Sequence, residues 1–359
     1  MKNYTKKLVL EDGSQFYGYG FGADRQAVCE LVFNTSVVGY QEILSDPSYA
    51  GQMVVMTYPL IGNYGMADED YETKTPMLGA MIVREYNDLP SNFRYTRTLN
   101  EVLEECDIPA IEGVDTRALT RIIRDEGTQK CILTDAATPK EEAMARLAAY
   151  ELPTDSMARV SCRKRWMSRV PNHKYDVVAV DCGLRNSIVR QLNKVGCNVT
   201  VVPYNATLEE VMAFHPDGVV ISNGPGNPTD AAAVVDLIKQ LRGRLPIFGV
   251  GLGHQLLALA YGAKTEKMKV GHRGSNHPVM NHATGLIEMA VQNHGYVVVP
   301  ESIGVLKVTH TNLLDNTIEG VECRLDRTFS VQFDPMAAEG ECHDLFKKFV
   351  KLMEEGRDA

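Results

Sequence analysis

Between residues 175 and 260 one pattern repeats. Short, nearly continuous apolar runs at 177–180, 199–202, 218–221 and 247–250 alternate with stretches whose apolar positions fall at helical spacing. A strand that is apolar throughout needs cover on both faces, as in a parallel sheet. Parallel neighbours require crossovers, and the helical stretches supply them. One opens at Thr207-Leu208-Glu209-Glu210, a capping box, and another runs from about 230 to 241. The pattern predicts an open, mainly parallel sheet with helices on both faces, binding ligands beyond the carboxyl ends of its strands.

Three turns fall at such strand ends. They are Asp181-Cys182-Gly183-Leu184-Arg185-Asn186, Ser222-Asn223-Gly224-Pro225-Gly226-Asn227-Pro228, and the run Gly249-Val250-Gly251-Leu252-Gly253-His254-Gln255. The last reads as strand, tight turn and helix, a geometry that lifts one residue to the top of a sheet beside free helix N–H groups. That residue is Gly251, so the position best placed for a nucleophile has no side chain. The spacing Gly249-x-Gly251-x-Gly253 is one residue short of the dinucleotide fingerprint, and no acidic residue ends the next strand.

Gly-Val-X-Leu-Gly-His-Gln resembles the elbow of class I glutamine amidotransferases, where X is the cysteine that attacks the glutamine amide. Almost the whole chain is similar to one branch of that family, the small subunits of carbamoyl-phosphate synthase. The wording carrying the likeness is 39–52, Asp115-Thr116-Arg117-Ala118-Leu119-Thr120-Arg121, 181–186, 222–228, 271–279 and Gln292-Asn293-His294-Gly295-Tyr296. The resemblance implies that Leu252, Gln255, Asn293, Gly295 and Tyr296, with Gly224, Gly226 and Ser48, line a pocket for L-glutamine. The 222–228 loop would supply the oxyanion hole.

The family's histidine and glutamate come from a C-terminal Ser-Val-Gln-Tyr/Phe-His-Pro-Glu. Here the sequence is Ser330-Val331-Gln332-Phe333-Asp334-Pro335-Met336. By that match Gly251, Asp334 and Met336 stand at the three triad positions, and none can play its part: a thiolate, an activating histidine and an orienting carboxylate are all needed. Asp334 can accept a proton, but Gly251 offers none, and Cys182 is not expected to face the same pocket. The resemblance thus implies a small subunit unable to hydrolyse glutamine, serving pyrimidine or arginine precursor synthesis. It would dock as a heterodimer on an ATP-using large subunit supplied with free ammonia. ATP and Mg are expected only on that partner, with no cofactor in this chain. The competing readings are an active glutamine-hydrolysing small chain and a detached, non-catalytic glutamine-binding paralogue.

A chain of 359 residues suggests two domains. The boundaries read as 1–150 (an N-terminal, β-rich α/β domain for large-subunit docking), 151–173 (a basic linker around Trp166) and 174–359 (the amidotransferase-like domain). In the first, Phe16-Tyr17-Gly18-Tyr19-Gly20-Phe21-Gly22 lacks the Gly-Lys-Ser/Thr ending of a phosphate loop. Asp115 caps a helix with apolar positions 118, 119, 122 and 123 on one face, closed by Gly127. Thr138-Pro139-Lys140-Glu141 reads as a second capping box. A net charge of −9 argues against nucleic-acid or membrane-surface binding. No apolar run reaches the roughly 20 residues that span a bilayer, and residues 1–7 have no leader-like apolar core behind them, so a cytoplasmic location is expected. The eight cysteines are scattered and expected to be reduced. His254, His272, His277 and His294 follow no common zinc spacing, so no metal is expected.

Overall fold

The computed structural model describes residues 3–336 and 342–357. Met1 and Lys2, at the head of the stretch read for a leader, lie outside them. The chain divides into two compact units, Met1–Pro153 and Thr154–Ala359.

The strands of the first unit are β1 (Lys6–Leu10), β2 (Gln15–Gly22), β3 (Ala27–Asn34), β4 (Gln52–Met56), β5 (Leu60–Ile61), β6 (Ala80–Ile82), β7 (Glu85–Tyr86), β8 (Pro109–Glu112) and β9 (Gln129–Asp135). Its helices are α1 (Tyr40–Ser45), α2 (Leu99–Glu105), α3 (Thr116–Glu126) and α4 (Lys140–Ala149). β5 and β7 pair with each other, and the rest close a barrel in the order β1-β2-β8-β6-β4-β3-β9. The Gly-rich run 16–22 lies in barrel strand β2. At Gly18 the neighbouring strand comes so close that a Cβ would lie 2.2 Å from Glu112 O. Asp115 caps α3 by accepting the Ala118 N–H at 2.9 Å, and Leu119 and Ile123 are buried. The second expected box does not form: α4 starts after Pro139 without a side-chain cap, and Thr138 Oγ1 lies 2.9 Å from Thr134 Oγ1 instead.

The second unit contains α5 (Ser156–Val160), β10 (Trp166–Ser168), β11 (Tyr175–Asp181), α6 (Asn186–Lys194), β12 (Cys197–Pro203), α7 (Leu208–Met212), β13 (Gly218–Ile221), α8 (Ala232–Leu241), β14 (Ile247–Val250) and α9 (Leu252–Ala260). There follow β15 (Thr265–Asn281), β16 (Ile287–Val298), β17 (Lys307–Asn312), β18 (Ile318–Cys323), β19 (Thr328–Val331) and α10 (Asp344–Arg357). One ten-stranded sheet runs β10-β12-β11-β13-β14-β19-β18-β17-β15-β16. From β12 to β19 all neighbours are parallel; beyond β19 the pairing is antiparallel. The parallel strands bury both faces. Val178 and Val180 pack with Ile238, Leu256 and Leu257 on one side, and Val177 and Ala179 with Phe248, Phe346 and Phe349 on the other. The box at Thr207 forms as expected.

Residues 154–173 are not a free linker. They supply α5 and the edge strand β10, which pairs antiparallel with β12. The Arg165 guanidinium lies over the Phe214 ring, 5.5 Å from its centroid. The basic residues mask Trp166-Met167-Ser168, a short β-prone segment whose partner lies about thirty residues on.

Candidate functional site

The site is built where β13 and β14 end. β14 runs into Gly251, which has φ 58° and ψ −114°, and α9 begins at Leu252. A side chain is strained in that conformation, whereas glycine enters it at little cost. Backbone bonds hold the turn: Gly251 N–H donates to Val331 O at 2.9 Å, Gly253 N–H to Ser222 O at 3.0 Å, and His254 N–H to Gly251 O at 3.0 Å. The packing is close throughout. A Cβ on Gly253 would lie 2.1 Å from Ile221 O, and one on Gly251 would lie 3.0 Å from Asn223 Cβ. With glycine at the tip there is no nucleophile, and a side chain there needs Asn223 to give by a few tenths of an ångström.

Asn223 is buried and its Oδ1 accepts the Arg185 N–H at 3.3 Å. Arg185 follows the turn after β11. That turn is shaped by Asp181, whose Oδ1 accepts the Gly183 and Leu184 N–H groups at 2.9 and 2.7 Å. The Arg185 guanidinium forms an ion pair with Asp334. Asp334 is fixed by its N–H, which donates to Val291 O at 3.0 Å. Met336, expected at an orienting carboxylate's place, is an exposed thioether. Cys182 is fully buried, and burial pushes its thiol well above the usual range. An inaccessible, protonated thiol is a poor nucleophile.

Of the residues expected around glutamine, several come together. A Cβ on Gly224 would lie 2.0 Å from Cys182 O and 3.1 Å from Leu252 Cδ2, so Gly224 packs between the first turn and the start of α9. Gln255 Nε2 donates to Tyr296 O and to Gln332 Oε1, both at 2.9 Å, joining α9 to β16 and to the segment after β19. Asn293 pairs in register with Arg273, and Gly295 lies against the same guanidinium, where a Cβ would be 3.1 Å from Nη2. Gly226 has φ 94°. Ser48 belongs to the first unit, in a short 3-10 turn (Pro47–Tyr49) where its N–H donates to Asp46 Oδ1 at 2.9 Å.

The four histidines do not form one cluster. His254 lies at the start of α9 with Nδ1 2.9 Å from Ser330 Oγ. Burial drives it down to about 3, keeping the ring neutral. His272 and His294 face each other across β15 and β16, with ring centroids 5.0 Å apart. They meet Glu319 of β18, which is fully buried. The His277 ring lies tilted beside that of His272, centroids 4.9 Å apart, and burial depresses it to about 4.

Sequence reasoning gave no role to Arg185, Asn223, Gln332 or Glu319. The first three lie within one to four residues of the end of an apolar strand, and a charged or amide residue in such a strand-end segment is the signal they share. Glu319 carries a different one: a carboxylate in a strand whose six residues are all buried needs a partner.

Residues 8–133 match the family described as carbamoyl-phosphate synthase small chain, CPSase domain, and residues 178–352 match glutamine amidotransferase class-I. The chain is 49% identical over 354 residues to the carbamoyl phosphate synthase small chain of Listeria innocua, covering 97% of each chain. It is 49% identical over 356 residues to the carbamoyl phosphate synthase pyrimidine-specific small chain of Halalkalibacterium halodurans, covering 98% of each. It is 47% identical over 351 residues to the chain of that name in Bacillus subtilis, covering 97% of this chain and 96% of that one.

Proposed function

The chain belongs to the family of carbamoyl-phosphate synthase small chains, and from that premise we propose that it is a small chain that no longer hydrolyses glutamine. It keeps the scaffold of the glutamine pocket and acts as structural or regulatory partner of a large subunit that draws on free ammonia. The two relatives named pyrimidine-specific favour a role in pyrimidine rather than arginine synthesis.

The observation carrying this reading is the tip of the elbow. Amide hydrolysis through an acyl-enzyme needs an atom that attacks the carbonyl carbon and a base that takes its proton. Gly251 provides no such atom. Its φ of 58° is one that a side chain holds only under strain and that glycine adopts at little cost. Asp334, at the base position, is engaged by Arg185 and has no hydroxyl or thiol to act on. Cys182, buried and protonated, is no substitute. What remains suits binding: the loop carrying Gly224 and Gly226 packs against the start of α9, and Gln255 is braced by the Tyr296 carbonyl and Gln332. Bound but uncleaved glutamine would report the amino-acid supply to the partner subunit.

The test is reconstitution with a large subunit and a comparison of nitrogen sources. Carbamoyl phosphate should form from ammonia, and glutamine should give neither product nor glutamate. Glutamate released stoichiometrically with carbamoyl phosphate ends this reading in favour of an active small chain. Failure of the two subunits to co-purify points instead to a detached paralogue.

A further inference from the structure

We propose that His272, His294 and Glu319 bind one divalent transition-metal ion, with zinc the best match to the donor set. The three come from β15, β16 and β18 and are all buried; one ligand atom from each lies within 4.8 Å of the others. His272 Nδ1 is 3.6 Å and His294 Nε2 4.0 Å from Glu319 Oε1. Ligands at zinc bond lengths of about 2.0–2.1 Å in a tetrahedron stand roughly 3.3 Å apart. Side-chain adjustments of under about 1 Å therefore close the site.

The hydrogen bonds around the three residues favour a cation. His272 Nε2 lies 2.9 Å from Asp315 Oδ2. A carboxylate only accepts, so in the neutral ring the proton is on Nε2 and the Nδ1 lone pair faces Glu319. His294 Nδ1 lies 3.0 Å from Tyr296 O, which also only accepts, so the lone pair of that ring is on Nε2. It faces Glu319 and Gln292 Oε1, 2.7 Å away. Acceptors thus converge on one point. Rotating the Gln292 amide relieves only its own contact with His294. Asn312 Nδ2 sits 3.4 Å from His272 Nδ1 and 3.3 Å from Glu319 Oε1, long for good hydrogen bonds. Glu319 Oε2, fully buried, has no hydrogen-bond partner among the described residues.

Each imidazole also donates the outer hydrogen bond that orients metal-binding histidines, His272 to the Asp315 carboxylate and His294 to the Tyr296 carbonyl. Two imidazoles and a carboxylate suit zinc, with a fourth position left for water. The ion would staple three strands behind the segment that carries Asn293, Gly295 and Tyr296. The rival occupant is a proton on His272 Nδ1.

The experiment uses the full chain, stripped with chelator and titrated with Zn²⁺ alone at pH 7.5. One zinc should bind per chain. X-ray absorption should show a nitrogen and oxygen shell with two imidazoles and no sulfur. Glu319→Gln should weaken binding by at least roughly tenfold, and Asp315→Asn, at a half-exposed position, by about tenfold. If Glu319→Gln does not fold, Asp315→Asn and the absorption spectrum decide. Absence of stoichiometric zinc, sulfur in the shell, or unchanged affinity in the variants overturns the assignment.

Discussion

Arg185 and Asp334 form a buried ion pair beside the glycine tip, with side-chain exposures of 6% and 12%. Their burial makes the pair asymmetric to mutation. Removing one partner takes from the other its ion-pair contact in a mostly dry place, whereas replacing both with apolar groups removes both charges. Arg185→Met should therefore destabilise the fold by about 3–5 kcal/mol, and Arg185→Met with Asp334→Leu by much less. Urea denaturation of the two variants checks this. Equal losses would mean the pair is not desolvated as the structure has it.

Restoring the sulfur alone should not restore chemistry. Gly251→Cys places a Cβ at φ 58°, 3.0 Å from Asn223 Cβ, at a cost of about 1–3 kcal/mol, and the thiol finds no histidine at position 334. The expected outcome is a lower denaturation midpoint and no glutamate release. Turnover by that single variant would show that the turn still accommodates a nucleophile.

Gly253 is constrained by space. A Cβ there would lie 2.1 Å from the Ile221 carbonyl oxygen, a backbone atom that cannot swing away. Gly253→Ala should push α9 off β13 and cost several kcal/mol, at or beyond the upper end of the roughly 1–3 kcal/mol usual for overpacking. A loss below about 1 kcal/mol in chemical denaturation would contradict the packing.

Glutamine should bind without being consumed. A ligand that binds only the folded chain, at a hundred times its Kd, adds about 2.7 kcal/mol of stability. Differential scanning fluorimetry should show a rising midpoint with glutamine while glutamate stays at background. An unmoved midpoint at every concentration would mean the pocket residues no longer form a site.

Stability should fall in mild acid. Burial lowers His254 to about 3, and His277 and His310 to about 4. The unfolded chain binds these protons near pH 6.5 and the folded chain resists them. Their contribution is therefore complete above about pH 6.5 and declines as pH falls toward 4 and below. His272, raised by Glu319 and Asp315 against the effect of burial, works in the opposite sense and is outnumbered. Urea midpoints measured from pH 7.5 to 4.5 should decrease, and most of the His254 share should vanish in His254→Asn. A flat profile would refute the assignment of neutral buried rings.

The parallel half of the large sheet was legible because its strands are apolar runs without interruption. The turn at 249–253 was legible because glycines crowd a strand–helix junction. The antiparallel half was not: in β15 and β16 the residues at 272–277 and 292–294 are polar, with register shifts along the ladder, and no period of two survives. Edge strand β10 was hidden by its arginines. The Arg185–Asp334 pair joins residues 149 apart in sequence, and Glu319 lies far along the chain from both histidines it meets. Spacing rules see neither, because the fold rather than the local chain brings them together.

The two units differ in how their strands finish. The barrel closes on itself and leaves no unpaired rim. The other sheet stops at β16, twelve residues long, with Ile287 and Met289 turned to solvent. Val291 is bridged to Asp334, but toward the start of β16 the edge carries apolar side chains, and an apolar edge is a template for sheet growth between molecules. Clumping in concentrated preparations would begin there, and Met289→Lys is the gatekeeper substitution to keep the chain monodisperse.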